Sequence, residues 1–534
     1  MSADLKPPAG FSILMPVYNP KPAHIREAVK SVLAQSWPHW ELCLADDASA
    51  DPQVKPLLLE LAGLDQRVRV EFRPLNGHIA RATNTALDMA NYEYCALMDQ
   101  DDLLTPDALE RVAGLLMEKP GLQLVFSDED KILDDFTLFY PHFKNQAWDW
   151  ELLQGQNFVN HLGVYRTDRL RALGGFRAGF EGAQDYDMLL RYTEDLDAAQ
   201  IAHIPRVLYH WRVHKESTAL DIGAKSCVLN GALKALENHL ERTGKQARAE
   251  LVPDTQFTRI CFDLPQPQPL VSLIVDVGEA CQAAPNLVRA LFEKTAYSKL
   301  EIILLYGQGA DERAVDSMLR RLEAEYRNQV RPLPLPPGAG FAEMAVKALD
   351  KAMGKIVGFI GKGLAPLSAG WLEEMVGRLS QPGVGAVGCK ILSGNNQILH
   401  LGYMADAENR LFPLFRNLSD LSSGYFCWPK LARTVNAVSE GCLFTRKEYL
   451  KESGGFKPEQ KPDASGIDYC LKLTGRGLRT VVTPFTVFIA TSGYKAPPDQ
   501  TDFSAPACHP YLTRAFDGDW GLFWKADAPS GGKL

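Results

Sequence analysis

Short apolar runs alternate with helical patterns through about residue 130 of this chain. Apolar residues recur on one helical face between the runs, as at Ile25, Val29 and Val32. The runs have strand length and read FSILMPV (11–17), ELCLAD (41–46), VRVEF (68–72), EYCALMD (93–99) and LQLVFSD (122–128). Strand–helix alternation at this spacing predicts βαβ units and a doubly wound α/β domain built on a parallel sheet.

The pattern restarts after a proline-rich segment, DLPQPQP (263–269), which itself follows a helical stretch over 227–242. VSLIVDV (271–277) corresponds to FSILMPV, EIILLY (301–306) to ELCLAD, and KIVGFIGKGLAP (355–366) to EYCALMDQDDLLTP. We therefore predict an internal duplication. The expected units are a first domain over 1–222, a helical and proline-rich linker over 223–269, a second domain over 270–495 and an irregular tail over 496–534.

Composition narrows the class of function. The net charge of −8 argues against a nucleic-acid partner and against attraction to an anionic membrane surface. The ten cysteines are scattered without a CxxC pair, which is typical of reduced thiols. Neither a basic and apolar leader nor a run of about 18 apolar residues occurs. We therefore expect a cytoplasmic protein with at most peripheral membrane association, through partners at the inner face.

The densest group of candidate functional residues is Asp99-Gln100-Asp101-Asp102, directly after an apolar run. Three carboxylates in four residues repel one another unless a cation lies among them. Oxygen ligands on a loop suit Mn²⁺ or Mg²⁺, which bind one or two protein carboxylates together with substrate phosphates. The alternative is an acidic helix start capped by Asp102. Acidic residues at neighbouring strand ends favour the metal site.

Two neighbouring strand ends carry a second group of candidates, Pro16-Val17-Tyr18-Asn19 and Asp46-Asp47. An aromatic ring can stack on a nucleotide base, and a carboxylate can accept from a pyrimidine N–H. Two ordinary βα turns rich in Pro, Asn and Asp would have the same composition.

A third group lies farther along the chain, at Asp185 and His214. Asp185 opens a helical pattern, where backbone N–H groups favour a carboxylate. A lone Asp at such a position is usually a cap, and a lone His is usually a surface or satisfied core residue.

Taken in order, these segments resemble the inverting glycosyltransferases of family 2, whose GT-A fold binds nucleotide-diphospho-sugars. The similarity is greatest to bacterial members that act in O-antigen and other surface-polysaccharide synthesis, often as tandem domains. It covers about residues 11–220 and runs through FSILMPVYNP, ELCLADDAS, NGHIARATNTAL, ALMDQDDLL, FSDEDKI, the Lys144 and Trp148 segment, GQNFVNHLGVYR, GGFRAGFEGAQDYD and HIPRVLYHWRVHKEST. The fold class that it implies is α/β, with two tandem GT-A domains.

The resemblance also implies roles for the residues of the nucleoside pocket. Pro16 and Tyr18, with Asn19, would line the pocket, and Asp47 would accept from the base. The sugar donor is then a nucleoside-diphosphate sugar, linked to UDP, dTDP or GDP.

A metal site and a general base follow from the same resemblance. Asp99 and Asp101 would form the DxD element, which contacts the ribose–diphosphate and Mn²⁺ or Mg²⁺. His214 would complete the coordination of the metal, and Asp185 would take the proton from an acceptor hydroxyl. The acceptor class stays open between a glycan, a lipid-linked glycan and a protein, and so does the oligomeric state.

The second copy lacks the residues that would carry this chemistry. A lysine at the former metal position is hard to reconcile with a bound cation. The substitutions are Asp276 for Pro16, Tyr306 and Gly307 for Asp46 and Asp47, Gly361-Lys362-Gly363 for Asp99-Gln100-Asp101, and Gly466 for Asp185. We therefore expect a degenerate, inactive second GT-A domain.

Two other functions remain as alternatives at this point. A nucleotidyltransferase shares the doubly wound sheet and acidic metal site, but it would carry a glycine-rich basic phosphate loop that FSILMPVYNP lacks. A non-catalytic scaffold that binds sugar nucleotides or glycans would not need the acidic set of the first half. Metal-dependent hydrolysis of a sugar nucleotide would distinguish an enzyme from a scaffold.

The acidic cluster generates a first prediction. Replacing Asp101 with Ala (Asp101→Ala) should abolish metal-dependent nucleotide binding and activity together, because the substitution removes a carboxylate of the DxD element. Calorimetric titration with a nucleoside diphosphate in Mn²⁺ measures this effect. Unchanged, tight nucleotide affinity in the variant would contradict the assignment of Asp101.

Overall fold

A nine-stranded mixed sheet forms the first half of the protein, in a computed structural model that describes residues 10–144, 148–213, 222–336, 338–405, 410–456, 465–491, 493–494 and 501–502. Its main path runs β3-β2-β1-β4-β8-β6-β9-β5, and β7 pairs with β6 at one side. The strands are β1 (Phe11–Val17), β2 (Trp40–Asp46), β3 (Val68–Phe72), β4 (Tyr94–Leu97), β5 (Leu103–Leu104), β6 (Leu124–Ile132), β7 (Leu138–His142), β8 (Gly163–Arg166) and β9 (Ile201–Arg212).

Helices connect these strands and cover the sheet. The apolar face of each long helix is buried, as Ile25, Val29 and Val32 are on the first one. The helices are α1 (Pro22–Leu33), α2 (Val54–Ala62), α3 (His78–Met89), α4 (Ala108–Glu118), α5 (Trp150–Leu153), α6 (Thr167–Ala172) and α7 (Gln184–Thr193), with a 3₁₀ turn at Ala198–Gln200. The predicted α/β class is confirmed.

The sheet is mixed, although the sequence pattern predicted a parallel one. β1, β2, β3 and β4 are parallel, but β8 runs antiparallel between β4 and β6. With only four residues, β8 is too short to be recognised from its apolar pattern. It nevertheless places the segment before Gly163 beside the carboxyl end of β4.

The segment predicted as a linker contains regular structure beyond its helix. α8 (Ile222–Arg242) packs on α7, where His239 Nδ1 lies 2.8 Å from Glu194 Oε1 and Lys234 Nζ donates to the Gly179 carbonyl. An antiparallel hairpin of β10 (Ala247–Leu251) and β11 (Thr258–Phe262) follows. The sequence analysis did not predict this hairpin.

The second half contains a ten-stranded sheet whose main path is β14-β13-β12-β15-β22-β17-β23-β16. β18 and β21 pair with β17 and β23, and β19, β20 and β24 form a separate small sheet. The strands are β12 (Val271–Gly278), β13 (Leu300–Gly307), β14 (Val330–Leu335), β15 (Ile356–Ile360), β16 (Leu364–Pro366), β17 (Val384–Leu392), β18 (Ile398–His400), β19 (Tyr403–Ala405), β20 (Arg410–Pro413), β21 (Arg433–Val435), β22 (Cys442–Arg446), β23 (Arg479–Ala490) and β24 (Thr501–Asp502).

The helices of the second half repeat the arrangement of the first. They are α9 (Ala284–Glu293), α10 (Glu312–Tyr326), α11 (Phe341–Leu349), α12 (Trp371–Leu379), α13 (Lys447–Glu452) and α14 (Ser465–Thr474), with a 3₁₀ turn at Tyr425–Lys430.

Strand order and register agree between the two sheets. Each main path has the same order when β12 is equated with β1, β15 with β4, β22 with β8 and β23 with β9. The matching pairs are Phe11–Trp40 and Val271–Leu300, Phe11–Tyr94 and Val271–Ile356, and Tyr94–Arg166 and Ile356–Arg446. This agreement aligns the halves residue by residue, independently of sequence similarity.

A buried carboxylate ties strands together near their amino ends in the first sheet. Glu41 Oε1 accepts from the Ser12 hydroxyl at 2.7 Å and from Asn91 N at 2.5 Å. Arg69 Nη1 donates to the other oxygen at 3.0 Å.

The second sheet contains the same arrangement. Glu301 Oε1 accepts from the Ser272 hydroxyl at 2.5 Å and from Met353 N at 2.7 Å, while Arg331 lies 3.2 Å from Oε2. The two halves therefore share a structural network at the end of the sheet opposite the predicted chemistry.

The buried apolar side chains form three clusters. One lies in each half, and the third contains residues of both halves, including Phe126 and Trp148 from the first and Trp428 and Leu431 from the second. Within the described ranges, no helix is both long and apolar enough to cross a lipid bilayer.

The shared carboxylate network generates a prediction about stability. Glu301→Ala should lower the free energy of unfolding by about 2 kcal/mol, because it leaves the Ser272 hydroxyl and Met353 N without their buried acceptor. Thermal unfolding measures the change. The matched control is Glu343→Ala, which removes only an exposed i,i+4 ion pair with Lys347 and should cost less than about 0.5 kcal/mol. Equal shifts for the two variants would contradict a structural role for Glu301.

Candidate active site and metal centre

The carboxyl ends of β1, β2 and β4 meet at one edge of the first sheet, because these strands are parallel neighbours. Open α/β sheets bind ligands at this edge. The predicted nucleoside residues follow β1 and β2, and the acidic turn Asp99–Asp102 follows β4. The fold therefore brings the two groups together.

Two reciprocal hydrogen bonds join the end of β1 to the acidic turn. Tyr18 N donates to Gln100 Oε1 at 2.9 Å, and Gln100 Nε2 donates back to the Tyr18 carbonyl at 3.2 Å. The Tyr18 side chain is 47% exposed, so its ring is available to a base. Pro16, two residues earlier, is half-buried at the end of β1.

Asn19, one of the predicted pocket residues, determines the conformation of the loop after β1. Its φ of 40° lies in the left-handed region, which Asn tolerates better than most residues. Asn19 N donates to the Ser49 hydroxyl at 2.9 Å, and its Oδ1 accepts from Ala50 N at 2.9 Å. Asn19 thus fastens the loop after β1 to the loop after β2.

Asp47 follows β2 at the same edge of the sheet and is only 2% exposed. Its Oδ1 accepts from Arg73 Nε at 2.8 Å and from Gly77 N at 2.9 Å. A base N–H would have to share a carboxylate that these groups already hold. The predicted contact between Asp47 and the base stays a prediction.

Asp102, which the sequence placed either in the acidic cluster or at a helix cap, anchors the acidic turn. Asp102 is fully buried, and its oxygens accept from the Tyr209 hydroxyl at 2.5 Å and from Arg212 N at 2.7 Å. The Tyr209 hydroxyl also accepts from Asp99 N at 3.1 Å. Burial and the neighbouring charges of Asp99 and Asp101 raise the pKa of Asp102 well above its ordinary value.

His161 lies beside this turn, on the segment that precedes β8. Its ring stacks on Tyr209 with 4.6 Å between centroids, and its Nε2 lies 3.8 Å from Asp99 Oδ2. Its Nδ1 lies 3.4 Å from Glu129 Oε2, which also accepts from His161 N at 3.1 Å. Burial alone would lower the pKa of His161, but Glu129, Asp99 and Asp102 raise it to about 9.

Glu129 and Lys144 form a buried ion pair beneath His161. Lys144 Nζ lies 3.4 Å from Glu129 Oε2 and donates to the carbonyls of Val159 and His161 at 2.7 and 2.5 Å. Burial raises the pKa of Glu129, but Lys144 with His142 and His161 holds it well below its ordinary range. The segment carrying His161 is therefore fixed by both side-chain and backbone contacts.

Asp99, Asp102 and His161 form a group that fits a divalent metal. One ligand atom from each lies within 4.8 Å of the others. Carboxylate oxygens and imidazole nitrogens are both common ligands of divalent metals in proteins. Asp101 is not a member of this group, although its main-chain carbonyl accepts from Arg212 Nε at 2.7 Å. His214, the predicted third ligand, lies outside the described residues.

Asp185, in the first turn of α7, lies near Asp99 and His161. Its Oδ2 accepts from Asn157 Nδ2 at 2.8 Å. Burial in the cleft raises the pKa of Asp185, and the nearby His161 opposes that shift. The charge of Asp185 in turn raises the pKa of Asp99, so the candidate base and the candidate metal site share one electrostatic environment.

Asp187 does not share that role. Its carboxylate is fully buried between Arg177 and Arg191. Two further acidic residues, Asp128 and Asp130, lie within β6 and are paired with histidines: His203 Nε2 lies 2.8 Å from Asp128 and His210 Nδ1 lies 2.5 Å from Asp130. These three acids are structural.

The strand registers place other residues at the same positions of the second half. Counting from the matched pairs, the counterparts of Pro16 and Asp47 are Asp276 and Gly307, those of Asp99 to Asp102 are Gly361 to Leu364, and that of His161 is Gly441. An added Cβ on Gly278 would lie 3.0 Å from the Lys362 side chain, so this lysine lies over the turn after β12. No carboxylate or imidazole of the first-half metal group recurs at these described positions.

The sequence analysis missed His161 and Glu129. Both stand in motifs that it used for the family resemblance, GQNFVNHLGVYR and FSDEDKI. A polar pair, Asn160 and His161, directly before an apolar run was the available indication that this segment ends at a site. The ion pair with Lys144 joins residues 15 apart across a loop, which no periodicity predicts.

Comparison with known proteins agrees with this arrangement. Residues 12–171 match the family model described as Glycosyl transferase family 2. The chain is 36% identical over 531 residues to "Uncharacterized protein y4gI" of Sinorhizobium fredii, covering 94% of this chain and 57% of that protein. It is 29% identical over 487 residues to "O-antigen biosynthesis protein RfbC" of Myxococcus xanthus, covering 90% of this chain and 37% of that protein.

Among solved structures, the crystal structure of S. aureus TarS 1–349 in complex with UDP matches 44% of this chain and 71% of its own, at 20% identity and a TM-score of 0.34. The chain thus spans 57% and 37% of the length of the two relatives named above. The family match includes the parallel strands, the acidic turn and His161, and it ends before Asp185. Over residues 12–171, the first half of the chain is therefore similar to the proteins of glycosyl transferase family 2.

Proposed function

We propose that the first half transfers a sugar from a nucleoside diphosphate to an acceptor hydroxyl, with inversion at the anomeric carbon. The observation that carries the proposal is the meeting of Asp99, Asp102 and His161 with Asp185 in one cleft at the carboxyl edge of the sheet. The relative named for O-antigen biosynthesis supports a role in the synthesis of surface polysaccharide or a related glycoconjugate.

The sugar donor binds along the ends of β1, β2 and β4 in this proposal. The exposed Tyr18 ring stacks on the base, while Asn19 and Asp47 hold the pocket loops in place. The base belongs to UDP, dTDP or GDP. Both substrates are then held in line, which removes much of the entropic barrier to their reaction.

Asp99 and His161 would hold Mn²⁺ or Mg²⁺ together with the predicted ligands Asp101 and His214. When bound, the metal offsets the negative charge that develops on the departing diphosphate. Asp102, held by Tyr209 and Arg212 N, fixes the turn that carries these ligands. Glu129 orients the His161 ring from the other side, as carboxylates commonly do for metal-binding histidines.

Asp185 acts as the general base. Its raised pKa brings it nearer to the working pH, which favours proton transfer from the acceptor hydroxyl. Asn157 fixes the orientation of this carboxylate by donating to Oδ2. The acceptor is a glycan, a lipid-linked glycan or a protein.

The second half is inactive in transfer on this proposal. Its sheet keeps the strand order and the Ser272–Glu301–Arg331 network but carries Gly361, Lys362 and Gly363 at the acidic turn. The second half thus keeps its structural residues but has other residues at the positions of the acidic turn. This contrast favours a domain that is retained for a purpose other than transfer.

Asp185→Asn provides the test of the proposed mechanism. Transfer should fall by about two to four orders of magnitude, because the amide cannot accept the acceptor's proton. Affinity for the sugar donor should stay within a few-fold, since the base contacts the acceptor. Steady-state rates, with the sugar donor selected by a thermal-shift screen in Mn²⁺, measure the first quantity, and calorimetry measures the second.

The matched control is Glu181→Gln, four residues earlier on the loop before α7, where the carboxylate accepts from Gly179 N at 2.8 Å. This variant should transfer at close to the wild-type rate. Near wild-type transfer by Asp185→Asn, together with a large loss in Glu181→Gln, would move the base to Glu181 and overturn the assignment.

A further inference from the structure

A turn of the second half is bonded to the strand of the first half that ends at His142. The hydroxyl of Tyr425 donates to the Pro141 carbonyl at 2.8 Å and accepts from Phe143 N at 2.7 Å. One hydroxyl group therefore spans the backbone on both sides of His142. This contact links residues 284 apart in sequence.

The next residue of the turn holds the His142 ring itself. Phe426 stacks on His142 with 3.7 Å between centroids and 14° between planes. His142 is 2% exposed, and neither of its ring nitrogens has a hydrogen-bond partner among the described residues. The position of this imidazole therefore depends on the Phe426 ring on one side and on Glu129, 3.6 Å from Nδ1, on the other.

The turn adopts a costly conformation that these contacts maintain. Phe426 and Cys427 have φ values of 46° and 57°, in the left-handed region that non-glycine residues rarely occupy. Each such residue costs on the order of 1 kcal/mol or more and persists only where its surroundings impose it. Trp428, two residues after Phe426, also fixes the turn to the first half, because its Nε1 donates to Gln156 Oε1 at 3.2 Å.

A chain of side-chain contacts connects His142 with the candidate metal centre. Glu129, which packs against His142, contacts His161 through both Nδ1 and the backbone N–H. His161 Nε2 in turn lies 3.8 Å from Asp99 Oδ2. The path from Phe426 to Asp99 thus contains three intervening side chains, all within the described structure.

We propose that Tyr425 and Phe426 are positioning residues for the metal centre, so that the second half forms the outer support of an active site whose reacting groups belong to the first half. This inference rests on the proposed function, because it assigns His161 and Asp99 to a metal. Groups that orient a metal-binding histidine affect metal affinity by about 10- to 100-fold. Tyr425 and Phe426 do not contact His161 but act on it through His142 and Glu129. We therefore expect their substitution to weaken metal binding by a smaller factor, about 3- to 10-fold.

Mn²⁺ alone is the probe, and the amplitude of the electron paramagnetic resonance signal of free Mn²⁺ reports binding to the full chain. Phe426→Leu removes the stacked ring, and Tyr425→Phe removes only the bridging hydroxyl. We expect about 3- to 10-fold weaker Mn²⁺ binding for Phe426→Leu and a smaller loss in the same direction for Tyr425→Phe. Phe426→Tyr, which keeps an aromatic ring, should bind Mn²⁺ as the wild type does.

The matched control is Tyr469→Phe, which removes another buried hydroxyl of the second half, 2.6 Å from the Thr445 hydroxyl and away from the first half. It should lower Tm without changing Mn²⁺ affinity. Wild-type Mn²⁺ affinity in both Phe426→Leu and Tyr425→Phe would overturn the inference and leave the proposed function standing. Lack of Mn²⁺ binding by the wild type, or full transfer in the presence of a chelator, would overturn the proposed metal site and this inference with it.

Discussion

The buried carboxylate of Glu129 holds the candidate active site together. A charge without water around it is costly unless it is paired and hydrogen-bonded. Lys144, His142 and His161 surround it, and Lys144 donates to two carbonyls of the segment that carries His161. β6, β7 and the segment before β8 are thereby fixed relative to one another, and the metal group depends on that arrangement.

The second half is packed directly against the first. Apolar residues of both halves share one buried cluster, and Glu151 of the first half is paired with Arg378 of the second at 3.0 Å. We propose that the second sheet, which has Gly361 to Leu364 at the positions of the acidic turn, serves to support the site of the first half through its loops. The conserved network at Glu301 and the replaced positions at Gly361 to Gly363 are then two consequences of one function.

Apolar patterns in the sequence predicted most of the sheet that carries the site. β1 and β3 begin and end where their apolar runs do, and the segments predicted to correspond in the two halves have matching strand registers. The acidic turn at Asp99 is a local pattern at a strand end, whereas the role of Asp185 follows only from the family resemblance, because a lone acid at a helix start is usually a cap. Local pattern did not reveal β8, whose four residues are too few to establish a period.

His161 and Glu129 were also missed, for a related reason. Their contacts join β6 to a segment about 30 residues later, and the importance of each residue follows from the other. The Tyr425 contact spans nearly 300 residues and depends on left-handed backbone at Phe426. Such features arise from packing between segments, which neither periodicity nor motif spacing encodes.

The number of nucleotides that one chain binds distinguishes a single donor site in the first half from two donor sites. Calorimetric titration of the full chain in Mn²⁺, with the nucleoside diphosphate that a thermal-shift screen selects, measures this stoichiometry. A single cleft in the first half predicts one nucleotide per chain. Two nucleotides per chain would show that the second half binds a sugar donor of its own, and would contradict the assignment of the only donor site to the first half.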